Sequence, residues 1–294
     1  MNRTGARIAL ALGPALGPAL GLAVGLALIL GAGTALADCN GQSGPCRIAG
    51  GTYHIVLPAG PAAPGAAAPG PAILLLHGWG GEGEGMIRNR AMVDLMLARG
   101  YAVIAPDGQP RHAGDGRSWD FHPELPTTRD ETAFLIAVAD DAAARFGLDR
   151  DGMLLAGFSI GGSMVSYVAC ARPAAFAAYA PVAGSFWRPH PDRCAGPVRL
   201  LHTHGVADRT VPLEGREIRP GFAQGDVVAA MKLWRDAMGC AGDIPDRTEV
   251  VGIYTIARWH TCAPGAQLDF ALHEGGHSIP RGWAALAMDW FEAG

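Results

Sequence analysis

The pentapeptide Gly157-Phe158-Ser159-Ile160-Gly161 limits the folds open to this chain, because of what stands on either side of it. Upstream, Asp151-Gly152-Met153-Leu154-Leu155-Ala156 contains a short apolar run of strand length. Downstream, the stretch from Gly162 to Ala169 reads as a helix that stops before Pro173. Strand, Gly-x-Ser-x-Gly and helix together lift a serine onto a tight turn at the carboxyl edge of a sheet. Side chains at 157 and 161 would collide as strand and helix close around that turn, which is a steric reason for both glycines. The helix start also supplies backbone N–H groups and a positive dipole end where negative charge would develop. In a chain with 42 glycines among 294 residues the pentapeptide alone is a weak signal, so its flanks carry the argument against a plain glycine-rich turn.

Three further segments fall where such a serine needs them. Ala72-Ile73-Leu74-Leu75-Leu76 has the continuous apolar character of a parallel strand buried on both faces, and His77-Gly78-Trp79-Gly80-Gly81 follows at once. That turn is expected to present a backbone N–H, from Trp79 or its neighbour, to an oxyanion, and Ile160, directly after the serine, the other. Val198 to Thr203 reads as another strand leading into His204-Gly205-Val206-Ala207-Asp208, which puts Asp208 on a loop at the strand's carboxyl end. Gln267 to His273 reads as the last strand, and Glu274-Gly275-Gly276-His277 places His277 on a glycine-rich loop after it. The chain order Ser159, Asp208, His277 is that of an α/β-hydrolase and differs from both common serine-peptidase orders.

With these motifs in hand, the chain resembles the secreted esterases related to polyhydroxybutyrate depolymerases and to feruloyl or acetylxylan esterases. The matching elements are Leu-His-Gly at 76–78, Gly-x-Ser-x-Gly-Gly at 157–162, His-Gly-x-x-Asp at 204–208, the stretch from Trp234 to Cys240, and Gly-Gly-His at 275–277. They span roughly residues 50 to 290 and are together far more specific than any one of them. The resemblance departs at its last motif. Members commonly show Gly-His-x-Trp-Pro-Gly, whereas this chain has Gly276-His277-Ser278-Ile279-Pro280-Arg281. Those two exchanged positions are expected to border the site, so they weaken any inference about substrate.

His273 ends the last strand, where a structural role is expected, whereas two glycines let the loop of His277 bend towards Ser159. His202 and His204 form a His-x-His pair without a third ligand at a recognisable metal spacing, so no metal is expected. Asp107 follows a strand but precedes Ser159, the wrong order for the acid of the triad. Asp226 and Asp236 fall on an expected helix and read as solvated. Asp130 and Glu131 precede the apolar run 132–138 and read as helix-start charges favoured by the dipole. Trp119, Phe121, Phe186 and Trp187 follow strands as loop aromatics at the edge that carries the serine. Trp119, Phe121 and Trp187 are the candidates for contact with substrate.

The amino terminus stands apart. Arg3 and Arg7 precede a charge-free stretch ending in Ala35-Leu36-Ala37, the small-x-small pattern of a cleaved signal peptide, with an uncleaved anchor as the alternative. Residues 38–294 then form one catalytic domain, secreted to the periplasm or beyond, with no membrane partner after cleavage. Loss of Arg3 and Arg7 takes the formal net charge from −4 to −6, which argues against nucleic acid as a partner. All six cysteines, Cys39, Cys46, Cys170, Cys194, Cys240 and Cys262, lie in this part, as in an oxidising compartment. Six allow fifteen pairings. The expected topology narrows them to Cys170–Cys194 and Cys240–Cys262, leaving Cys39–Cys46 as a local loop.

The alternation of strands and helices from residue 72 onward predicts a mostly parallel sheet with helices on both faces, the α/β-hydrolase fold. Tyr53 to Leu57 is a leading strand, joined to the next by a Pro/Ala/Gly-rich loop. Arg88 to Gly100 is one amphipathic helix, and Val250 to Ile256 is an added edge strand. The expected activity is ester hydrolysis by Ser159, His277 and Asp208 through an acyl-enzyme, without cofactor. A non-catalytic binding protein on a hydrolase scaffold is the contrary class. With no further domain expected beyond 38–294 to hold a solid polymer, the expected substrates are hydroxybutyrate-type oligoesters, with feruloyl or acetylxylan esters second.

Overall fold

The computed structural model describes residues 39, 44–59, 70–111, 116–122 and 125–294. The expected signal segment 1–37 and most of the loop between Leu57 and Ala72 lie outside them.

Fourteen strands and six α-helices are present among the described residues. In chain order they begin with β1 (Cys46–Ile48), β2 (Gly51–Val56), β3 (Ala72–Leu76), α1 (Gly83–Ile87), α2 (Arg90–Ala98) and β4 (Ala102–Pro106). Next come β5 (Gln109–Pro110), β6 (Arg117–Ser118), α3 (Glu131–Phe146), β7 (Leu154–Phe158), α4 (Ile160–Ala171), β8 (Ala178–Val182) and β9 (Arg199–Gly205). Then follow β10 (Glu217–Arg219), β11 (Phe222–Ala223), α5 (Val227–Met238), β12 (Arg247–Val251), β13 (Tyr254–Trp259), β14 (Gln267–His273) and α6 (Trp283–Glu292). One ten-stranded sheet runs β1-β2-β4-β3-β7-β8-β9-β14-β13-β12. Its middle, from β4 to β14, is parallel, with an antiparallel hairpin added at each edge. Strands β3, β4 and β8 are buried along their whole length, as their unbroken apolar character requires.

Successive side chains of one strand enter opposite layers. Leu74 and Leu76 pack with Leu135 of α3, Val165 of α4 and Trp234 of α5. Ile73 and Leu75 pack on the other side with Val93 of α2 and Ala287 of α6. Helices thus cover both faces. Caps fix the starts of α3 and α5: Asp130 accepts from Ala133 N–H and Asp226 from Ala229 N–H, each with a left-handed glycine, Gly147 or Gly239, at the other end.

Two elements differ from the expectation. The segment Val250 to Ile256 is the tip of a hairpin, with Val251 opposite Tyr254 and Gly252 turning at φ 58°. An apolar run interrupted by one glycine reads as continuous in sequence, but that φ reverses the chain. The expected helix from Arg88 to Gly100 is α2, Arg90–Ala98, and a short helix that the sequence did not announce, α1, precedes it.

The cysteines pair as Cys39–Cys46, Cys170–Cys194 and Cys240–Cys262. Among the described residues no helix is long and apolar enough to cross a membrane.

Candidate active site

The register that sets Leu76 of β3 beside Gly157 of β7 brings the turn after β3 against the turn after β7. Ser159 sits there at φ 58° and ψ −122°, a conformation a side-chain-bearing residue adopts only when its surroundings enforce it. The surroundings are tight. A Cβ at Gly157 would lie 2.6 Å from the carbonyl oxygen of Gly161, and one at Gly161 would lie 2.5 Å from that of His77. Backbone bonds complete the clamp, with Ser159 N–H donating to Val182 and Ser163 N–H to Ser159.

The loops after β9 and β14 are joined in the same way. Val206 N–H donates to the carbonyl of His273 and Ala207 N–H to that of Gly275. Gly205 permits this approach, since a Cβ there would meet the carbonyl oxygens of Gly275 and Gly276. Asp208 is thereby held buried. Its Oδ1 accepts from Thr210 N–H and Val211 N–H, both at 2.8 Å, and its Oδ2 from His277 Nδ1 at 2.7 Å. On the other side of the ring His277 Nε2 lies 2.8 Å from Ser159 Oγ. In the neutral imidazole, donation from Nδ1 to the carboxylate leaves Nε2 free to accept the serine proton. Phe158 packs its ring 4.8 Å from that of His277 and so limits the loop's freedom.

Three side chains from the edges of β7, β9 and β14 therefore meet in a hydrogen-bonded line. His273 does not join it. That ring accepts from Gly275 N–H at 3.0 Å and lies edge-on to Tyr254, bracing the turn before His277. His202 and His204 stack within β9, with ring nitrogens 3.2 Å apart. His204 Nε2 donates to the carbonyl of Val211 at 2.7 Å, so its Nδ1 accepts from His202. Burial pushes both rings below the usual histidine range, His202 far below it. This neutral pair supports the backbone of the Asp208 loop. Among the described residues no group of three or more His, Cys, Asp or Glu is arranged to hold a metal.

The turn after β3 is held from beneath. His77 Nδ1 donates to the carbonyl of Gly78 at 2.8 Å, its Nε2 accepts from Gly108 N–H at 2.9 Å, and burial lowers its pKa. Trp119 Nε1 donates to the carbonyl of His77 at 2.9 Å. Asp107 braces the same region, accepting from Thr52 Oγ1 at 2.6 Å and Gly83 N–H at 2.9 Å and pairing with His54 at 3.4 Å. Burial alone would raise its pKa, but hydrogen bonds from His54, Thr52 and Gly83 outweigh it and pull the carboxyl down to about 2.

Glu131 opens α3, as its position suggested, but it is also drawn into a buried ion pair. It is 2% exposed, pairs with Arg129 at 2.6 Å and accepts from Asp120 N–H. Arg129 also donates to the carbonyls of Gly50 and Asp107. Burial is the larger influence on both, raising Glu131 to about 7 and lowering Arg129. The preceding Asp130 takes the capping role instead, so the helix-start signal concealed its neighbour's pairing.

A cavity of about 1050 Å³ opens beside Ser159. Trp79 and Ile160 line it, as do Trp119, Phe121 and Trp187. Trp79 is largely exposed while Trp119 is buried. Phe121 lies 5.7 Å from Trp187, and Trp187 lies 4.6 Å from Phe222 of β11. Phe186 points instead into the layer of α5, 5.4 Å from Trp234. The hairpins β5–β6 and β10–β11 form two rims of the cavity and bring in Arg111, Ile218, Arg219 and Phe222, none of which the sequence reading singled out. Strands of two or three residues carry no periodicity to reveal them. Ile279, expected to border the site, packs against the cluster that contains Trp283.

Comparison with known proteins agrees with this architecture. Residues 88–187 match the model of the prolyl oligopeptidase family. The protein NocK of Nocardia uniformis subsp. tsuyamanensis, described as an esterase, is 31% identical over 190 residues, which is 63% of this chain and 54% of that protein. Feruloyl esterase C of Emericella nidulans is 26% identical over 155 residues, 51% of each. The chain thus spans about half the length of these relatives. The acetyl xylan esterase of Aspergillus awamori superposes with a TM-score of 0.61 at 19% identity, covering 83% of this chain and 94% of that one. A carboxylesterase from Mesorhizobium loti gives a TM-score of 0.55 at 21% identity, covering 85% and 99%. Sheet order, the turn at Ser159 and these likenesses together make the chain an α/β-hydrolase by fold, similar in sequence to esterases.

Proposed function

We propose that the chain is a carboxylic ester hydrolase in which Ser159 is the nucleophile, His277 the general base and Asp208 the group that orients the base. The observation that carries this reading is the line from Asp208 Oδ2 through His277 to Ser159 Oγ, with contacts of 2.7 and 2.8 Å at the mouth of an aromatic cavity. Ser159 Oγ attacks the ester carbonyl carbon and its proton passes to His277 Nε2. The carbonyl oxygen takes the negative charge, received by the backbone N–H groups of Ile160 and Trp79. Collapse of the adduct expels the alcohol, which takes the proton from His277. Water then adds to the acyl-enzyme with His277 again accepting a proton, and the acid leaves as Ser159 recovers its own. Asp208 stabilises the imidazolium in both halves.

The resemblance of residues 157–184 to the depolymerase-like branch favours hydroxybutyrate-type oligoesters as substrate. The likeness to feruloyl esterase C and to an acetyl xylan esterase favours the second reading, an aromatic or acetyl ester of a polysaccharide. Cavity walls of Trp79, Trp119, Phe121 and Trp187 accept an aliphatic chain or a planar ring. Secretion after removal of residues 1–37 fits three disulfides, which persist in oxidising compartments.

The test of the chemistry is Ser159→Ala assayed on a short-chain nitrophenyl ester. A fall in kcat of about 10⁴-fold or more is expected, and full retained activity would remove Ser159 from the mechanism. Side-by-side hydrolysis of hydroxybutyrate oligomers, methyl ferulate and acetylated xylan ranks the substrates. A specificity constant for methyl ferulate about a hundredfold above that for the oligomers would overturn the first choice.

A further inference from the structure

The described lining of the cavity beside Ser159 is cationic, although the chain as a whole carries a formal net charge of −4. Three arginines, Arg111, Arg216 and Arg219, face it with a single carboxylate near the mouth, Asp120. Asp120 is already engaged, accepting from both the N–H and the Oγ1 of Thr128. Arg216 is engaged too, donating to the carbonyl of Thr210 and to Gln224. Arg111 and Arg219 differ. Each guanidinium lies over an aromatic ring of the same cavity, Arg111 4.2 Å from the Trp79 centroid and Arg219 4.9 Å from that of Phe222. Among the described residues neither meets a carboxylate.

The two sit on different rims, Arg111 next to the β5–β6 hairpin and Arg219 in the β10–β11 hairpin. An arginine stacked on a ring keeps its planar N–H edge free for an anion while the ring fixes its orientation. Two such forks at the rims of an apolar cavity supply charge to a part of the substrate away from the scissile bond. An uncharged ester gains nothing from them.

Resting on the hydrolase reading above, we propose that the preferred esters carry a free carboxylate away from the scissile bond, bound by Arg111 and Arg219. Oligomers of hydroxy acids, which end in a carboxylate, belong to this class; methyl ferulate does not. The charges act on binding and encounter of the anion, so the effect appears in kcat/KM and weakens as salt screens it.

Two matched pairs test this with the full chain. On the alcohol side, 3-(butyryloxy)butyrate is compared with its amide, 3-(butyryloxy)butanamide. On the acyl side, 4-nitrophenyl hemiglutarate is compared with 4-nitrophenyl butyrate. In at least one pair the anionic ester is expected to have the higher kcat/KM, by roughly tenfold. That preference falls several-fold between about 0.02 and 0.5 M salt. The anionic-to-neutral ratio drops about tenfold in R111Q/R219Q and is partly kept in R219K, where the charge remains. Equal constants within each pair, or a ratio that salt and R111Q/R219Q leave in place, would overturn the proposal. Ser159→Ala separates the two levels: retained turnover of both members there sinks the hydrolase reading itself, whereas its loss with no anion preference in the native chain sinks only this inference.

Discussion

The indole of Trp119 donates its Nε1–H to the carbonyl oxygen of His77 at 2.9 Å, linking the wall of the cavity to the turn that bears Trp79. Both residues are almost fully buried, so no water replaces that bond when it is lost. Trp119→Phe keeps most of the packing but leaves the His77 carbonyl without this donor. A loss of about 1–3 kcal/mol in unfolding free energy is expected from urea titration. Because the same turn bears the N–H of Trp79, proposed to receive the oxyanion, kcat on a nitrophenyl ester should fall by roughly tenfold, with KM less affected. An unchanged kcat would disconnect the indole from the oxyanion turn.

Asp208→Asn probes the other side of the site. The carboxylate holds two backbone N–H groups with Oδ1 and the imidazole with Oδ2. An amide satisfies one set only, since its nitrogen donates and cannot accept. A fall in kcat of about 10⁴-fold is expected while the fold is kept, checked by ester turnover alongside circular dichroism.

Asp107 gives stability a defined pH dependence. Its folded pKa of about 2 lies below the ordinary aspartate value of 3.8, so the native state favours the ionised form. The stabilisation is complete above about pH 4 and is lost as pH falls through that range towards 2. Asp107→Asn should cost about 2 kcal/mol at neutral pH. The gap between native and variant urea midpoints should close on acidification to about pH 2. A gap that persists unchanged there would remove the carboxylate's charge from the account.

A disulfide beside a catalytic loop limits its motion, and Cys240–Cys262 is the pair next to the strand that leads to His277. Cys262 precedes β14, however, and His277 follows it, so the seven-residue strand Gln267–His273 separates them. That strand spans about 23 Å. C240S/C262S is therefore expected to lose about 2–4 kcal/mol of stability while kcat stays within about twofold. A large fall in kcat at full folding would show that the disulfide restrains the His277 loop across that strand.

The site's frame was legible because its parts obey strict local rules. An apolar run ending in Gly-x-Ser-x-Gly leaves few geometries, and Gly205, Gly157 and Gly161 stand where a Cβ would strike backbone. The hairpin at Gly252 was hidden, since one glycine inside an apolar run does not reveal its φ. Glu131 was hidden for another reason. A carboxylate at a helix start has a local explanation, whereas its pairing with Arg129 depends on the helix docking against Gly50 and Asp107. The rim arginines lie on hairpins too short to announce themselves, and only the folded chain brings them to Ser159.

Ser159 and His277 stand 118 positions apart, and β14, the strand that delivers the histidine, lies between β9 and β13. On the proposed mechanism a nascent or refolding chain has no competent nucleophile until its final strand is seated beside β9. Recovery of ester turnover after dilution from denaturant should lag behind burial of Trp119 and Trp234, and hydrolysis itself becomes a clock for completion of the sheet.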